Sequence, residues 1–201
     1  MMPKKSVPRR QAVVPSAVIN EAIVFITAAA MVVLVRRVSR EKLKESFRYF
    51  TVLSNVFCAF TALILLLSEL FGAMPAWAVA LKYMGTVAVT VTFLTVCLFL
   101  LPATRSIQGL FSNGTEIVMH LVTPLLAIFS FLCFEDRGLS AWVIPLGVLP
   151  VLLYGWLYLQ RVVLQRAWPD FYGFDRGGRW KLSFSLMMVG TVIAAVLLWA
   201  L

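Results

Sequence analysis

Charge is absent from five stretches of this chain, each about as long as a helix needs to cross the hydrocarbon core of a bilayer. They are Tyr49–Ser68, Tyr83–Thr104, Ile117–Phe134, Gly138–Gln160 and Leu182–Leu201; a sixth, Ala17–Val35, is interrupted only by Asn20 and Glu21. A spanning helix takes roughly 20 predominantly apolar residues at about 1.5 Å of rise each. The chain is 61% hydrophobic and only 13% charged, with a mean hydropathy of +0.91, which sets it apart from soluble globular domains. Six such segments within 201 residues, joined by short connections, leave no room for a separate soluble domain. The expected fold is all-α, a polytopic membrane bundle of six transmembrane helices.

Local signals place the span ends. Residues 1–15 read as a polar basic tail, mobile up to Pro15, and residues 16–201 as one six-helix domain. Ser46 reads as an N-cap after the charged run Arg40–Glu45, so the second span is expected over 46–71, following a first at 16–36. Met74-Pro75 marks the turn into a third at 76–101, closed by Pro102. Asn113 followed by Glu116 is a helix-start pattern that opens the fourth, 114–134, near Gly114. Glu135-Asp136-Arg137-Gly138 is the turn into a fifth at 140–163, and the long connection Arg166–Arg179 leads to a sixth at 180–201. The first segment resembles a signal peptide, but Arg36-Arg37 follows it directly with no small-residue cleavage site, so it is expected to remain as a span.

The formal net charge of +9 raises the question of nucleic acid. The basic residues sit at span ends, where anionic headgroups and topology account for them, and no nucleic-acid partner is expected. Twelve Lys and Arg fall in the first, third and fifth connections, against five in the N-terminal tail and at Arg137. The positive-inside rule then puts the odd-numbered connections in the cytoplasm and both termini outside, although the basic tail pulls the other way. The expectation is a multi-pass integral membrane protein, in the cell membrane if the chain is prokaryotic, with membrane lipids as neighbours.

Cys58, Cys97 and Cys133 lie within spans at no metal-ligand spacing and read as small buried hydrophobes. With a single His, that pattern argues against zinc or bis-His haem, and neither metal nor cofactor is expected. Trp77, Trp142, Trp168, Trp180 and Trp199 read as interfacial anchors. Glu21 and Glu69 read as end-of-span carboxylates reaching the interface, with a proton- or ion-coupling role as the alternative, and Thr86, Thr90 and Thr92 as packing residues.

The only His, His120, lies inside the fourth span, and an ionisable group in hydrocarbon is a functional candidate. Thr51, Asn55 and Cys58 recur at helical spacing, forming one polar stripe at the start of the second span. Thr51 is five residues from Ser46 and His120 six from Gly114. Both helices start from the same side, so both residues are expected roughly 7–9 Å inside, at one level. Thr95, Tyr154, Tyr158, Ser183 and Ser185 converge on that level. A Thr needs a base to become a nucleophile, and neutral His is the usual one. Asn55, with its neighbour Ser54, would support the pair, orienting the base or donating to an oxyanion, or Asn55 would simply tie two helices together. Glu116, one turn before His120, is either the third member of a triad or a helix N-terminal cap.

These two motifs, Tyr49-Phe50-Thr51-x-Leu53-Ser54-Asn55 and Met119-His120-x-x-x-Pro124, resemble a group of six-span membrane proteins. The group has bacterial members and is similar to the eukaryotic androgen-induced-gene family of membrane hydrolases. The resemblance covers the six-span layout and rests on the two short motifs. It implies a catalytic Thr51 and His120 and hydrolysis of lipid-like esters, fatty acid esters of hydroxy fatty acids in the eukaryotic branch. Trp168-Pro169-Asp170-Phe171 only loosely follows the family's last connection, and Ser130 stands where relatives often carry an acidic residue. On this reading Arg48, Arg179 or Lys181 would hold a substrate carboxylate near the headgroups. The rival readings are a non-enzymatic carrier or binding protein for a small or lipidic ligand, and a structural subunit of a membrane assembly.

Overall fold

Large apolar side chains cover the outside of this protein: Phe25, Phe60, Leu153 and Trp156 are each more than half exposed along helix surfaces. In water such a surface would aggregate; against acyl chains it is the ordinary exterior of a spanning bundle. The computed structural model describes residues 9–72, 74–101, 113–135 and 138–201, and six of its helices are long and apolar enough to cross a membrane. No strand occurs among the described residues. The tail with Lys4 and Lys5, Pro102 with Arg105, and Asp136-Arg137 lie outside them.

The spans are α1 (Arg9–Arg37), α3 (Phe50–Leu70), α4 (Ala76–Thr95), a fourth built from α5 (Gly114–Ile117) and α6 (Thr123–Cys133), α7 (Val143–Tyr158), and α8 (Trp180–Ala200). A short helix, α2 (Arg40–Ser46), lies between α1 and α3. π-turns continue α4 over Val96–Leu100, join α5 to α6 over Val118–Val122, and continue α7 over Leu159–Leu164. The most buried span is the third: α4 packs on α3, α6, α7 and α8, while α1 lies across α3 and α6.

Two boundaries correct the sequence reading. Helix α1 starts at Arg9, so Arg9–Val14 belong to a helix and not to a tail. Arg, Gln and Ala are strong helix formers, and Pro15 omits only one backbone bond. Ser46 does not cap the second span; its hydroxyl donates to the Lys42 carbonyl at 2.9 Å and closes α2. The chain turns over Phe47–Tyr49, and α3 begins at Phe50, whose N–H donates to the Tyr172 hydroxyl at 2.9 Å. Thr51 is therefore the second residue of its helix, not the sixth.

Small residues let α4 sit at the centre. A Cβ on Gly85 would collide with Thr61 Oγ1 and reach 3.0 Å from the Cys58 Cα on α3. Gly147 of α7 makes room for the Tyr83 ring, whose hydroxyl donates to the Ala195 carbonyl of α8 at 2.7 Å. Gly85→Ala is expected to lower stability by about 1–3 kcal/mol through overpacking, read as an earlier thermal melt in detergent. The α4 threonines behave as packing residues: Thr86, Thr90 and Thr92 each bond the carbonyl one turn back, and Thr92 also shares a 2.8 Å bond with Ser54. Glu69, expected at the interface, instead accepts a 3.0 Å bond from Ser16 of α1, because a partner inside the bundle replaces water.

Candidate functional site

His120 sits on a π-turn, and the sequence says why. Pro124 is four residues on; it has no N–H for the His120 carbonyl, and its ring would crowd that carbonyl in a regular α-helix. Widening the turn over Val118–Val122 relieves the clash. Asn113 starts the span upstream, its side chain accepting the Glu116 N–H at 3.1 Å. Glu116 is thus the capped residue, one turn before His120, and both line the same cleft.

Thr51 and His120, from the second and fourth spans, line one open cleft. Its other walls include Arg37 from the end of α1, Tyr49, Glu116 and Met119, and its volume is about 440 Å³. The two helix starts are fastened by Asn55, which is fully buried. Its Nδ2 donates to the Thr51 carbonyl at 2.7 Å and across to the Met119 carbonyl at 2.8 Å. Both amide hydrogens are used, so Asn55 positions the two backbones and is not placed to donate to an oxyanion. That corrects one expected role for it. Ser54 is likewise spent, on Thr92 and the Thr51 carbonyl.

Thr51 also borders a second, largely apolar and narrow cavity of about 30 Å³ between α3, α4, α7 and α8. Thr95, Tyr154 and Tyr158 line it, together with Phe184 and Met187. Of the other residues expected at this level, Ser183 bonds the Arg179 carbonyl and Ser185 faces outward. The cavity's aqueous end is covered by the connection after α7. Asp170 organises this cover, accepting bonds from the Tyr158 hydroxyl at 2.6 Å and the Phe174 and Asp175 N–H groups at 2.8 and 2.9 Å. Phe171, Tyr172 and Phe174 then stack on Tyr158.

Tyr172 is the residue sequence reading missed. Its hydroxyl accepts the Phe50 N–H at 2.9 Å, and its ring lines the same apolar cavity as Thr51 and Tyr154. Burial pushes the phenol up to about 12, against the backbone N–H groups of Phe50 and Thr51, so it stays protonated at neutral pH. No sequence spacing links residues this far apart. The cations are placed less favourably than expected. Arg48 lies over the Trp168 ring at 5.7 Å and 3.8 Å from Glu45, and Lys181 lies 5.7 Å from the Trp180 ring centre. Arg179 is exposed, and none of the three lines either cavity. The cation on the cleft wall is Arg37.

Fold and cavities together define a six-helix, membrane-spanning type of protein with a polar cleft at one end of the bundle. Comparison with protein-family models, with curated proteins and with solved structures gave no match.

Proposed function

We propose that this protein hydrolyses lipid-like esters, with Thr51 as nucleophile and His120 as base. The observation that carries the reading is the position of Thr51: it forms a boundary between an apolar cavity and a polar cleft, and His120 lines the cleft side. With the narrow apolar cavity opened by side-chain movement, an ester lying across that boundary would keep its acyl chain among Val96, Phe184 and Met187 and its polar part beside Arg37. The Thr51 hydroxyl adds to the ester carbonyl as His120 takes its proton. The tetrahedral species collapses, and the departing alkoxide leaves as an alcohol with the proton from His120. Water, deprotonated by His120, then attacks the acyl-threonine, releasing a carboxylic acid and restoring the Thr51 hydroxyl. On this mechanism the working contact between Thr51 and His120 forms as substrate draws the cleft walls together.

A non-enzymatic lipid binder would use the same two cavities. One experiment separates the readings: a fluorophosphonate probe on the purified protein, in wild type, Thr51→Ala and His120→Ala. Labelling of wild type that disappears in both folded variants is the expected result. Equal labelling in all three places the reactive group elsewhere, and no labelling in any favours the binder.

A further inference from the structure

The opposite end of the bundle holds a second polar cluster, built by α1, α3, α4 and the end of α6. Lys82 is fully buried; its Nζ donates to Asn20 Oδ1 at 2.6 Å and lies 3.9 Å from Glu135 Oε1. Glu135 Oε1 also accepts Ser130 Oγ at 2.8 Å and Asn20 Nδ2 at 3.4 Å. Asn20 Nδ2 reaches Ser16 Oγ at 3.2 Å, and Ser16 in turn donates to Glu69 Oε1. Two carboxylates and one ammonium therefore share one connected network. The second oxygen of each carboxylate, Glu69 Oε2 and Glu135 Oε2, is buried with no hydrogen-bond partner among the described residues, and Glu135 as a whole is only 6% exposed.

Among the described residues the charges do not balance. Lys82 is the cation facing the cluster among the described residues, and it can neutralise one carboxylate. The further titratable group within electrostatic reach is Cys58 of α3; Ser16, Asn20 and Ser130, from α1 and α6, are uncharged. A second carboxylate left ionised here would be a buried charge with an orphan oxygen, a costly arrangement. We propose that Glu69 and Glu135 form a binding site for one exchangeable proton, taken up from the aqueous phase at this end of the membrane. Glu69, half-buried, is the gate to water, and Glu135, against Lys82, is the inner member. Burial holds the Glu135 carboxyl above the usual carboxylate range, in keeping with this. A buried, water-accessible proton site is a component of proton-coupled membrane machinery, and it is structurally separate from the Thr51 cleft.

The test is infrared spectroscopy of the full-length protein in detergent at neutral pH, following the carbonyl stretch of a protonated carboxylic acid. Wild type is expected to show the band, shifted by deuterium oxide and lost on raising the pH. Glu69→Gln and Glu135→Gln should each abolish it, since either leaves Lys82 with a single carboxylate. Lys82→Met should strengthen it about twofold, since both carboxyls must then be neutral. Absence of the band from wild type, or its persistence in Glu69→Gln, overturns the proposal. Glu69→Gln preserves the Ser16 bond and shape, so the test stands even if Glu135→Gln fails to fold.

Discussion

Hydrolysis of a long-chain ester by the Thr51→Ala protein is expected to fall on the order of 10⁴-fold or more, with the thermal melt unchanged. The size follows from the role: removal of a covalent nucleophile ends the acyl-enzyme route and leaves only binding and polarisation. Thr51 bears no fold-holding bond comparable with that of Asn55, whose amide ties two spans, so the variant should stay folded. Thr51→Ser keeps the hydroxyl and should retain measurable turnover. His120→Ala should lose a similar factor in the acylation step. Asn55→Ala differs in kind: it should lower both melting temperature and turnover, because the carbonyls of Thr51 and Met119 lose their shared donor. A Thr51→Ala protein that hydrolyses ester at the wild-type rate would end the nucleophile assignment.

The second large effect concerns stability. Lys82→Met removes the cation facing Glu135 and should destabilise the bundle by about 3–5 kcal/mol near neutral pH, the usual cost of breaking a buried ion pair from one side. The loss depends on pH in a definite direction. Burial already raises the Glu135 carboxyl in the folded protein. A carboxyl raised on folding contributes stability that is full below its unfolded value and is lost as pH rises through its folded value. The variant should therefore melt highest in mild acid, where Glu135 is a neutral acid, and fall progressively above the ordinary carboxylate range. Adding Glu135→Gln should restore much of the loss and flatten the dependence. Melting temperature against pH for wild type, single and double variants measures all of this, and a flat profile for Lys82→Met would show that the pair is not coupled to folding.

Hydropathy alone made the all-α, six-span architecture legible, because hydrocarbon imposes one solution on uncharged runs of this length. The start of the fourth span was legible too, since Asn113 and Glu116 are a local signal. The second span's start was not: Ser46 is a plausible cap, but the Tyr172 hydroxyl, 122 residues from Phe50, fixes the helix start instead. Counted from Phe50 instead of Ser46, Thr51 lies at the very start of its helix, yet Thr51 and His120 still share a cleft, because both helices start from one side. The polar cluster at the other end was hidden for a different reason. In sequence Glu69 ends one span, Lys82 lies inside the start of the next and Glu135 belongs to a turn, and only the packing of α1, α3, α4 and α6 brings them together.

The π-turn under His120 has a consequence for the whole fourth span. One extra residue in a helical turn advances the later side chains by about 100°, the angular step of one residue. A single helical wheel drawn over 114–133 is therefore wrong for one half or the other. The first half, in its own phase, presents Glu116 and His120 to the cleft, and the second presents Ser130 toward Glu135 at the far end. Span four works as two gears on one shaft, offset by a tooth, each meshed with a different set of partners. Deleting one residue within Val118–Val122 would bring both into one phase, and only one of the two polar sites could then stay in register.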